Sequence, residues 1–416
     1  MNKVKALVPR LRFPEFREAG DWEQVAFGKL GLDVSDGNYS AKYPKQTDFL
    51  QSGVPFLRAN NLRFGTVSDD DMRFISERQH RELTKGHLKK GDILLSTRGQ
   101  LGTIALVPNR HIGSNLNAQL VRINTGDILI NTFLFQLMDY AKAQGVFDVL
   151  STGTALKQLN ILKLKIPQNK NEQQKIAECL TSLDEVIAAQ HQKLAALKTH
   201  KKGLMQQLFP REGETLPRLR FPKFQAAGEW EPQTLGSVCS SFSGGTPSTS
   251  QSEYYGGDIP FIRSAEIDRD RTELFLTRAG LSNSAAKIVA KGDVLVALYG
   301  ANSGDVALAK IEGAINQAIL CLKSKESNAF IYQFLSFKKD WVVATYLQGG
   351  QGNLSGEIVK SISVCFPFPA EQQKIADCLS SIDKLITAQS QKLEALKTHK
   401  KGLMQQLFPS PVEVEA

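Results

Sequence analysis

Residues 172–210 read EQQKIAECLTSLDEVIAAQHQKLAALKTHKKGLMQQLFP, and residues 371–409 read EQQKIADCLSSIDKLITAQSQKLEALKTHKKGLMQQLFP. Of the 39 aligned positions, 31 are identical, so the chain contains an internal duplication. In both copies apolar residues recur at alternating spacings of four and three, the heptad pattern of a coiled-coil seam, interrupted at two polar positions in each copy. The seam positions are Ile176, Leu180, Leu183, Ile187, Leu194, Leu197, Leu204 and Leu208, then Ile375, Leu379, Ile382, Ile386, Leu393, Leu396, Leu403 and Leu407.

The duplicated segments are predicted to be two long helices that pack against each other. Pro167 and Pro369 precede them, and Pro210 and Pro409 end them. In an antiparallel pair, the second helix begins near the end of the first. A parallel pair would need a return of about 50 Å, at about 1.5 Å per helical residue, through a connection of 24 residues. The sequence therefore favours an antiparallel coiled coil.

A second repeated motif leads into each variable part of the chain. Residues 9–23 read PRLRFPEFREAGDWE and residues 217–231 read PRLRFPKFQAAGEWE, with 11 of 15 positions identical. The second copy of this lead-in motif follows the first helix. The first copy would lie near the end of the second helix if the helices are antiparallel. We therefore expect two equivalent docking sites and a quasi-circular chain with pseudo-twofold symmetry.

The segments between the repeats are alike only in outline. Their short apolar and β-branched runs are bounded by Gly, Asn or Asp, which indicates strands and turns. The predicted fold class is α+β, with two homologous domains that share a scaffold and differ in their surface loops. The matching runs are VPFLRANNL at 54–62 with IPFIRSAEI at 259–267, GDILLSTRGQLGTIAL at 91–106 with GDVLVALYGANSGDVAL at 292–308, and SNLNAQLVRI at 114–123 with GAINQAILCL at 313–322.

The repeats divide the chain into seven parts. They are the first lead-in motif (1–24), the first variable domain (25–170), the first helix (171–209), a linker with the second lead-in motif (210–232), the second variable domain (233–370), the second helix (371–408) and a C-terminal tail (409–416).

Composition limits the class of protein. With 416 residues and 42% hydrophobic residues, the chain can build two or three cores. No apolar run approaches the roughly 18 residues of a membrane span, and the N-terminus lacks a signal-peptide pattern. The five cysteines include no C-x-x-C pair, which favours a reducing cytoplasm. The net charge of +9 hints at a polyanionic partner, and most of the excess lies in 25–170, with 19 basic and 12 acidic residues.

Motifs of catalysis are missing from the sequence. It contains no G-x-x-x-x-G-K-[ST] phosphate loop and no glycine-rich G-x-G loop after a strand. It also lacks the Asn-Pro-Pro or Asp-Pro-Pro turn of amino-methyltransferases, and its six histidines are scattered. We expect no catalytic residue and no metal site in this chain.

The motif combination resembles the specificity subunit of Type I restriction-modification systems. The residues that carry the resemblance are R-L-R-F-P-x-F and G-[DE]-W-E before each domain, and E-Q-Q-K-I-A and K-K-G-L-M-Q-Q-L-F-P in each helix. The resemblance covers essentially the whole chain. SGGTPS at 243–248 is similar to the start of such a recognition domain, whereas the first domain has SDGNY at 35–39, another opening seen in the family. The two domains are therefore expected to read different DNA sequences.

The resemblance implies a division of labour. Each variable region would be a target recognition domain that reads one half of a bipartite site in double-stranded DNA, while the helices act as a spacer. Two methyltransferase subunits and two restriction-translocase subunits would be the partners, with no membrane involved. S-adenosylmethionine, ATP and Mg²⁺ are expected on those partners, and no cofactor is expected in this chain.

Candidate base-reading residues follow from chemistry within the recognition domains. Arginine suits guanine, and asparagine or glutamine suits adenine, when they stand on loops. Arg58 and Arg263 occupy matching positions, which argues for a shared backbone or structural role rather than for distinct base reading. The candidates are Arg58, Asn60, Asn61, Arg63, Arg98 and Gln100 in the first domain, and Arg263, Glu266, Tyr299 and Asn302 in the second.

Two alternatives to this function stay open. One is the recognition subunit of a Type IIB-like system, whose partner is a single fused methylase-nuclease. The other is a coiled-coil scaffold that does not bind DNA.

Overall fold

The chain forms two compact units. Unit 1 combines residues 1–192 with residues 391–416, and unit 2 is the continuous segment 193–390. Each long helix therefore contributes one part to each unit. The computed structural model describes residues 7–98, 102–149, 159–346, 354–409 and 413–414.

Up to residue 208, short strands and short helices precede one long helix. The strands are β1 (Glu23–Ala26), β2 (Asp33–Asp36), β3 (Val54–Leu57), β4 (Leu62–Arg63), β5 (Thr66–Val67), β6 (Arg73–Ile75), β7 (Ile93–Ser96), β8 (Ile104–Leu106), β9 (Asn115–Leu116), β10 (Leu120–Asn124) and β11 (Leu162–Ile166). The α-helices are α1 (Glu77–Glu82), α2 (Asn131–Ala143), α3 (Val146–Val149) and α4 (Lys170–Leu208).

The elements after residue 208 follow the same plan. The strands are β12 (Glu231–Thr234), β13 (Cys239–Ser243), β14 (Tyr255–Ile262), β15 (Leu274–Leu276), β16 (Lys287–Val289), β17 (Val294–Ala297), β18 (Val306–Leu308), β19 (Gly313–Ile315), β20 (Ile319–Ser324), β21 (Ser363–Phe366) and β22 (Glu413–Val414). The α-helices are α5 (Leu235–Val238), α6 (Arg278–Ser282), α7 (Asn328–Tyr346), α8 (Gly356–Ser361) and α9 (Pro369–Leu407).

Both variable domains are built on one scaffold. Among the described residues, each has a four-stranded antiparallel sheet in an equivalent order, β2-β10-β7-β8 and β13-β20-β17-β18. A second sheet in each contains one parallel pair, β3 with β9 and β14 with β19. The runs that match in sequence thus form equivalent strands. The predicted α+β class with two homologous domains is confirmed.

Each variable domain shares its core with the long helices. In unit 1, α2 contributes Phe133 and Leu137 to a hydrophobic cluster that also includes Ile176 and Leu180 of α4 and Leu407 of α9. Unit 2 forms the corresponding cluster from α7, the end of α4 and the start of α9. Burial of apolar area is the main stabilising term in such a cluster. The helices are thus part of each domain's core.

Both long helices begin earlier in the chain than predicted. α4 covers 170–208 rather than 171–209, and α9 covers 369–407 rather than 371–408. Asn169 caps α4, because its Oδ1 accepts the N–H of Asn171 at 2.9 Å. Pro369 is the first residue of α9 instead of preceding it, a position where its missing N–H has no intrahelical partner to lose.

Within each unit the helix segments run antiparallel. In unit 1, Lys400 of α9 contacts Asp184 of α4, and Leu407 near the end of α9 shares a cluster with Ile176 near the start of α4. Unit 2 pairs the end of α4 with the start of α9 in the same way. All sixteen predicted seam positions are buried or half-buried.

Among the described helices, these two included, none is both long enough and apolar enough to cross a membrane.

Each lead-in motif docks at the end of a long helix in its own unit. In unit 1 the N–H of Leu11 donates to the carbonyl of Gln406 at 2.9 Å. In unit 2 the N–H of Leu219 donates to the carbonyl of Gln207, also at 2.9 Å. The two equivalent docking sites expected from the repeat are therefore present.

Candidate nucleic-acid interface

The turn after β3 in the first domain is held by two of the predicted site residues. Asn61 is fully buried; its Oδ1 accepts the N–H of Arg58 at 3.0 Å, and its Nδ2 donates to the carbonyls of Ser68 and Asp70 at 3.3 and 2.9 Å. The Arg58 guanidinium donates to the Asp71 carboxylate at 2.7 Å. Both side chains thus have partners inside the domain.

In the equivalent turn of the second domain, an ion pair between Arg263 and Glu266 takes the place of the Asn61 side-chain amide. The Arg263 guanidinium binds both oxygens of Glu266 at 3.0 Å and reaches Glu273 at 2.6 Å. Glu266 is 3% exposed. Burial alone would raise its pKa, but hydrogen bonds from Arg263 and from the Glu273 N–H, together with the Arg263 charge, lower the pKa to about 2. Arg58 and Arg263 thus make corresponding turn-holding contacts, and their contact with DNA stays a prediction.

Asn60 and Arg63 stand on the exposed side of the same turn in the first domain. Asn60 Nδ2 donates to Asp71 at 3.1 Å, and Arg63 pairs with Asp70 at 3.1 Å. Arg63 is 48% exposed and Asp70 is 71% exposed as side chains. Exposed ion pairs of this kind contribute little free energy, so Arg63 can exchange its carboxylate for a DNA phosphate at small cost.

The β17–β18 turn of the second domain presents two predicted residues without internal partners. Tyr299 is 38% exposed and Asn302 is half-buried, and neither side chain has a hydrogen-bond partner among the described residues. The turn backbone is fixed beneath them, because Ser303 Oγ donates to the Leu298 carbonyl at 2.8 Å and the Gly304 N–H to the Ala297 carbonyl at 2.9 Å. A fixed turn with free aromatic and amide groups is suited to reading base edges.

The β7–β8 turn occupies the equivalent position in the first domain. Arg98 is exposed there and has no hydrogen-bond or ion-pair partner in the part of the chain that the structure describes. Gln100 lies outside the described residues. The same scaffold position therefore presents arginine in one domain and tyrosine with asparagine in the other.

Two equivalent ion pairs that the sequence did not predict join each lead-in motif to the start of a long helix. The Arg12 guanidinium binds Glu172 at the start of α4, and Arg220 binds Glu371 at the start of α9. Both carboxylates are 1% exposed. The signal was available, since all four residues lie at identical positions of the two repeats.

Among the described residues, no group of three or more His, Cys, Asp or Glu side chains is arranged to hold a metal ion.

Comparison with known proteins identifies the class. A family model described as Type I restriction modification DNA specificity domain matches residues 24–199 and again residues 227–398. The chain therefore belongs to the family of Type I restriction-modification DNA specificity domains, and it carries two of them.

Individual relatives and a solved structure are similar to this chain over different shares of its length. A protein of Methanocaldococcus jannaschii with the provisional name type I restriction enzyme MjaX specificity subunit is 25% identical over 95% of this chain and 94% of its own length. The Escherichia coli type I restriction enzyme EcoR124I/EcoR124II specificity subunit is 26% identical over 38% of this chain and 42% of its own length. The crystal structure of a Type-I restriction-modification S subunit from M. genitalium has the same fold, with a TM-score of 0.63 at 16% identity, covering 97% of this chain and all of that one.

Proposed function

We propose that this chain is the non-catalytic specificity subunit of a Type I restriction-modification complex, in which each variable domain reads one half of a bipartite DNA site. The observation that carries the proposal is the pair of equivalent turns. One scaffold presents Arg98 in the first domain and Tyr299 with Asn302 in the second. These side chains have different hydrogen-bond and stacking chemistry, so the two half-sites differ in sequence.

Two methyltransferase subunits are the proposed partners of the long helices. Residues 196–210 and 395–409 are identical over 15 consecutive positions, and the identity extends to exposed side chains such as Lys198, His200 and Lys202. Packing does not constrain exposed residues in this way. Two identical faces suit two copies of one partner, which supports the stoichiometry of two. We assign S-adenosylmethionine to these partners, and ATP and Mg²⁺ to two restriction-translocase subunits.

Glycines within these identical faces point to close approach by the partner. Apart from its chain neighbours and the adjacent backbone of its own helix, a Cβ added to Gly203 or Gly402 would meet no atom of the described residues within 4 Å. The fold does not need glycine there, and glycine lowers helix stability by about 1 kcal/mol relative to alanine. We expect Gly203→Ala with Gly402→Ala to raise the melting temperature of the free subunit while weakening methyltransferase binding. Binding that is unchanged in titration calorimetry would count against this docking face.

Domain exchange tests the reading function. The chain is co-expressed with its methyltransferase, and genomic methylation is mapped before and after residues 25–170 are replaced by another such domain. One half-site should change and the other should persist. A change in both half-sites would contradict independent reading, and the purified chain alone should neither methylate nor cut DNA.

The same experiment separates the alternatives. A single large methylase-nuclease that co-purifies would indicate a Type IIB-like system. Failure of the complete assembly to bind DNA would indicate a scaffold.

A further inference from the structure

Two of the four polar interruptions of the heptad seam, Lys201 and Lys400, form buried polar layers. In unit 1, the Lys400 ammonium of α9 lies 2.7 Å from Asp184 Oδ1 of α4, and it donates to Asp184 Oδ2 at 3.0 Å and to Asp139 of α2 at 2.9 Å. In unit 2, Lys201 of α4 donates to Asp383 of α9 at 2.6 Å. The side chains of Lys400 and Lys201 are 10% and 13% exposed. Each layer thus joins the two long helices within its unit.

A glutamine from each recognition domain completes the layer. Gln136 of α2 donates to Asp184 at 2.7 Å, and Gln333 of α7 donates to Asp383 at 2.7 Å. Both glutamines are fully buried. Each carboxylate therefore accepts one hydrogen bond from the opposite helix and one from the domain.

The rest of the contact differs between the domains. Asp139 reaches Lys400 in the first domain, while the corresponding position of α7 is Ser336. Tyr332 of α7 instead places its ring 5.9 Å from the Lys201 ammonium. The two domains are alike only in outline, and the buried glutamine is the residue that both of them contribute to this layer.

Stability alone does not account for these glutamines. The Oε1 atoms of Gln136 and Gln333 are buried and have no hydrogen-bond partner among the described residues. An unpartnered buried oxygen is destabilising, and a buried ion pair is often no more stable than well-packed apolar side chains. Polar groups in an apolar seam can instead specify one arrangement of the packed elements.

We propose that Gln136 and Gln333 are positioning residues, each of which fixes its recognition domain in one placement on the helix pair and so defines the length of the unread gap between the half-sites. The inference rests on the proposed function. A domain without this hydrogen bond keeps its apolar contacts, which are non-directional and permit small shifts. A shift along the helices moves the reading turn relative to the DNA without altering which bases it reads.

The test measures the gap preference of the complete methyltransferase complex. Gln136→Met and Gln333→Met keep the side-chain volume approximately and remove the donor. Each complex is offered a DNA library that holds both half-sites at gaps varied one base pair at a time. We expect the half-site sequences to stay the same while the preference for one gap over its neighbours falls about tenfold, the order of effect expected for one hydrogen bond to a charged group.

Leu137→Ala and Leu335→Ala are the matched controls. Leu137 follows Gln136 on α2, and Leu335 lies two residues after Gln333 on α7. Both belong to the cores, and their apolar side chains cannot hydrogen-bond to the polar layer. The two substitutions should reduce the amount of folded complex and leave its gap preference intact. An unchanged preference in the glutamine variants, or an equal broadening in the leucine variants, would overturn the inference. A wild-type complex that methylates no bipartite site would instead refute the proposed function.

Discussion

The Arg12 guanidinium and the Glu172 carboxylate form a two-pronged ion pair, with Nε to Oε1 at 2.7 Å and Nη2 to Oε2 at 2.8 Å. It joins the lead-in motif to the first turn of α4, and the side chains are 7% and 1% exposed. Trp22 Nε1 also donates to Oε1, at 3.2 Å. The buried carboxylate thus depends on the lead-in motif for its hydrogen bonds.

We therefore predict that Arg12→Ala destabilises unit 1. The substitution leaves Glu172 buried without its counter-charge, which costs about 3 kcal/mol in comparable pairs. Urea unfolding followed by tryptophan fluorescence measures the loss. Arg10→Ala is the control, since Arg10 is exposed in the same motif. Equal unfolding midpoints for the two variants would contradict the assigned role.

Acid should weaken unit 2 through Glu266. The Glu266 pKa is about 2 in the folded chain, against an ordinary value of 4.5. The unfolded chain binds more protons between these values, so the stabilisation is complete above about pH 5 and is lost as the pH falls toward about 2. Glu266→Gln should be less stable than wild type at pH 7 by at most about 3 kcal/mol, with the difference shrinking in acid.

Denaturation at a series of pH values checks this prediction. Glu273→Gln is the matched control, because Glu273 pairs with the same arginine but its side chain is 72% exposed. A difference between Glu266→Gln and wild type that does not depend on pH would refute the assignment.

The proposal that the β7–β8 and β17–β18 turns read bases predicts separable changes in specificity. Tyr299→Ala and Asn302→Ala should lower the discrimination between bases in the half-site of the second domain by about 1–3 kcal/mol per base read. Arg98→Ala should lower the discrimination only in the other half-site. The effect on stability should be small, since these side chains have no hydrogen-bond or ion-pair partner among the described residues. Methylation of DNA libraries randomised in one half-site at a time measures the base preference at each half-site. Unaltered preferences in all three variants would place base reading elsewhere.

Matched heptad insertions should lengthen the gap. Seven residues inserted after Gln192 and after Gln391 keep the heptad phase and fall within one residue of the boundaries between the two units. They add about 10 Å to each helix, which corresponds to about three base pairs. The half-site sequences should persist while the preferred gap grows, although binding weakens as one domain rotates around the DNA. A folded, active complex with its original gap would show that the helices do not set the distance.

Features encoded by local repetition were predictable from the sequence. The heptad spacing from Ile176 onward depends on neighbours three and four residues apart, so the helices followed directly. The repeated lead-in motif likewise predicted equivalent docking sites. The first residue of each helix was harder to predict, because polar residues near Asn169 compete with it for the N-cap position.

Contacts between distant residues were not predictable in this way. Gln136 meets Asp184 from 48 positions away, and nothing in either segment marks the other as its partner. Arg58 was a candidate base reader by residue type, and only the fold brings Asp71 against it. Side-chain chemistry thus suggested candidates, whereas tertiary packing decided which of them have internal partners.

The division of the chain also determines the order in which its parts can fold during synthesis. Unit 2 lies between residues 193 and 390, so all of it has been made before the chain is finished. Unit 1 must wait, because Phe408 packs against Trp22, Phe133 and Tyr140. Those aromatic side chains are made early, and their core is incomplete until α9 leaves the ribosome. The N-terminal recognition domain is therefore the part most exposed to aggregation and chaperone binding during translation.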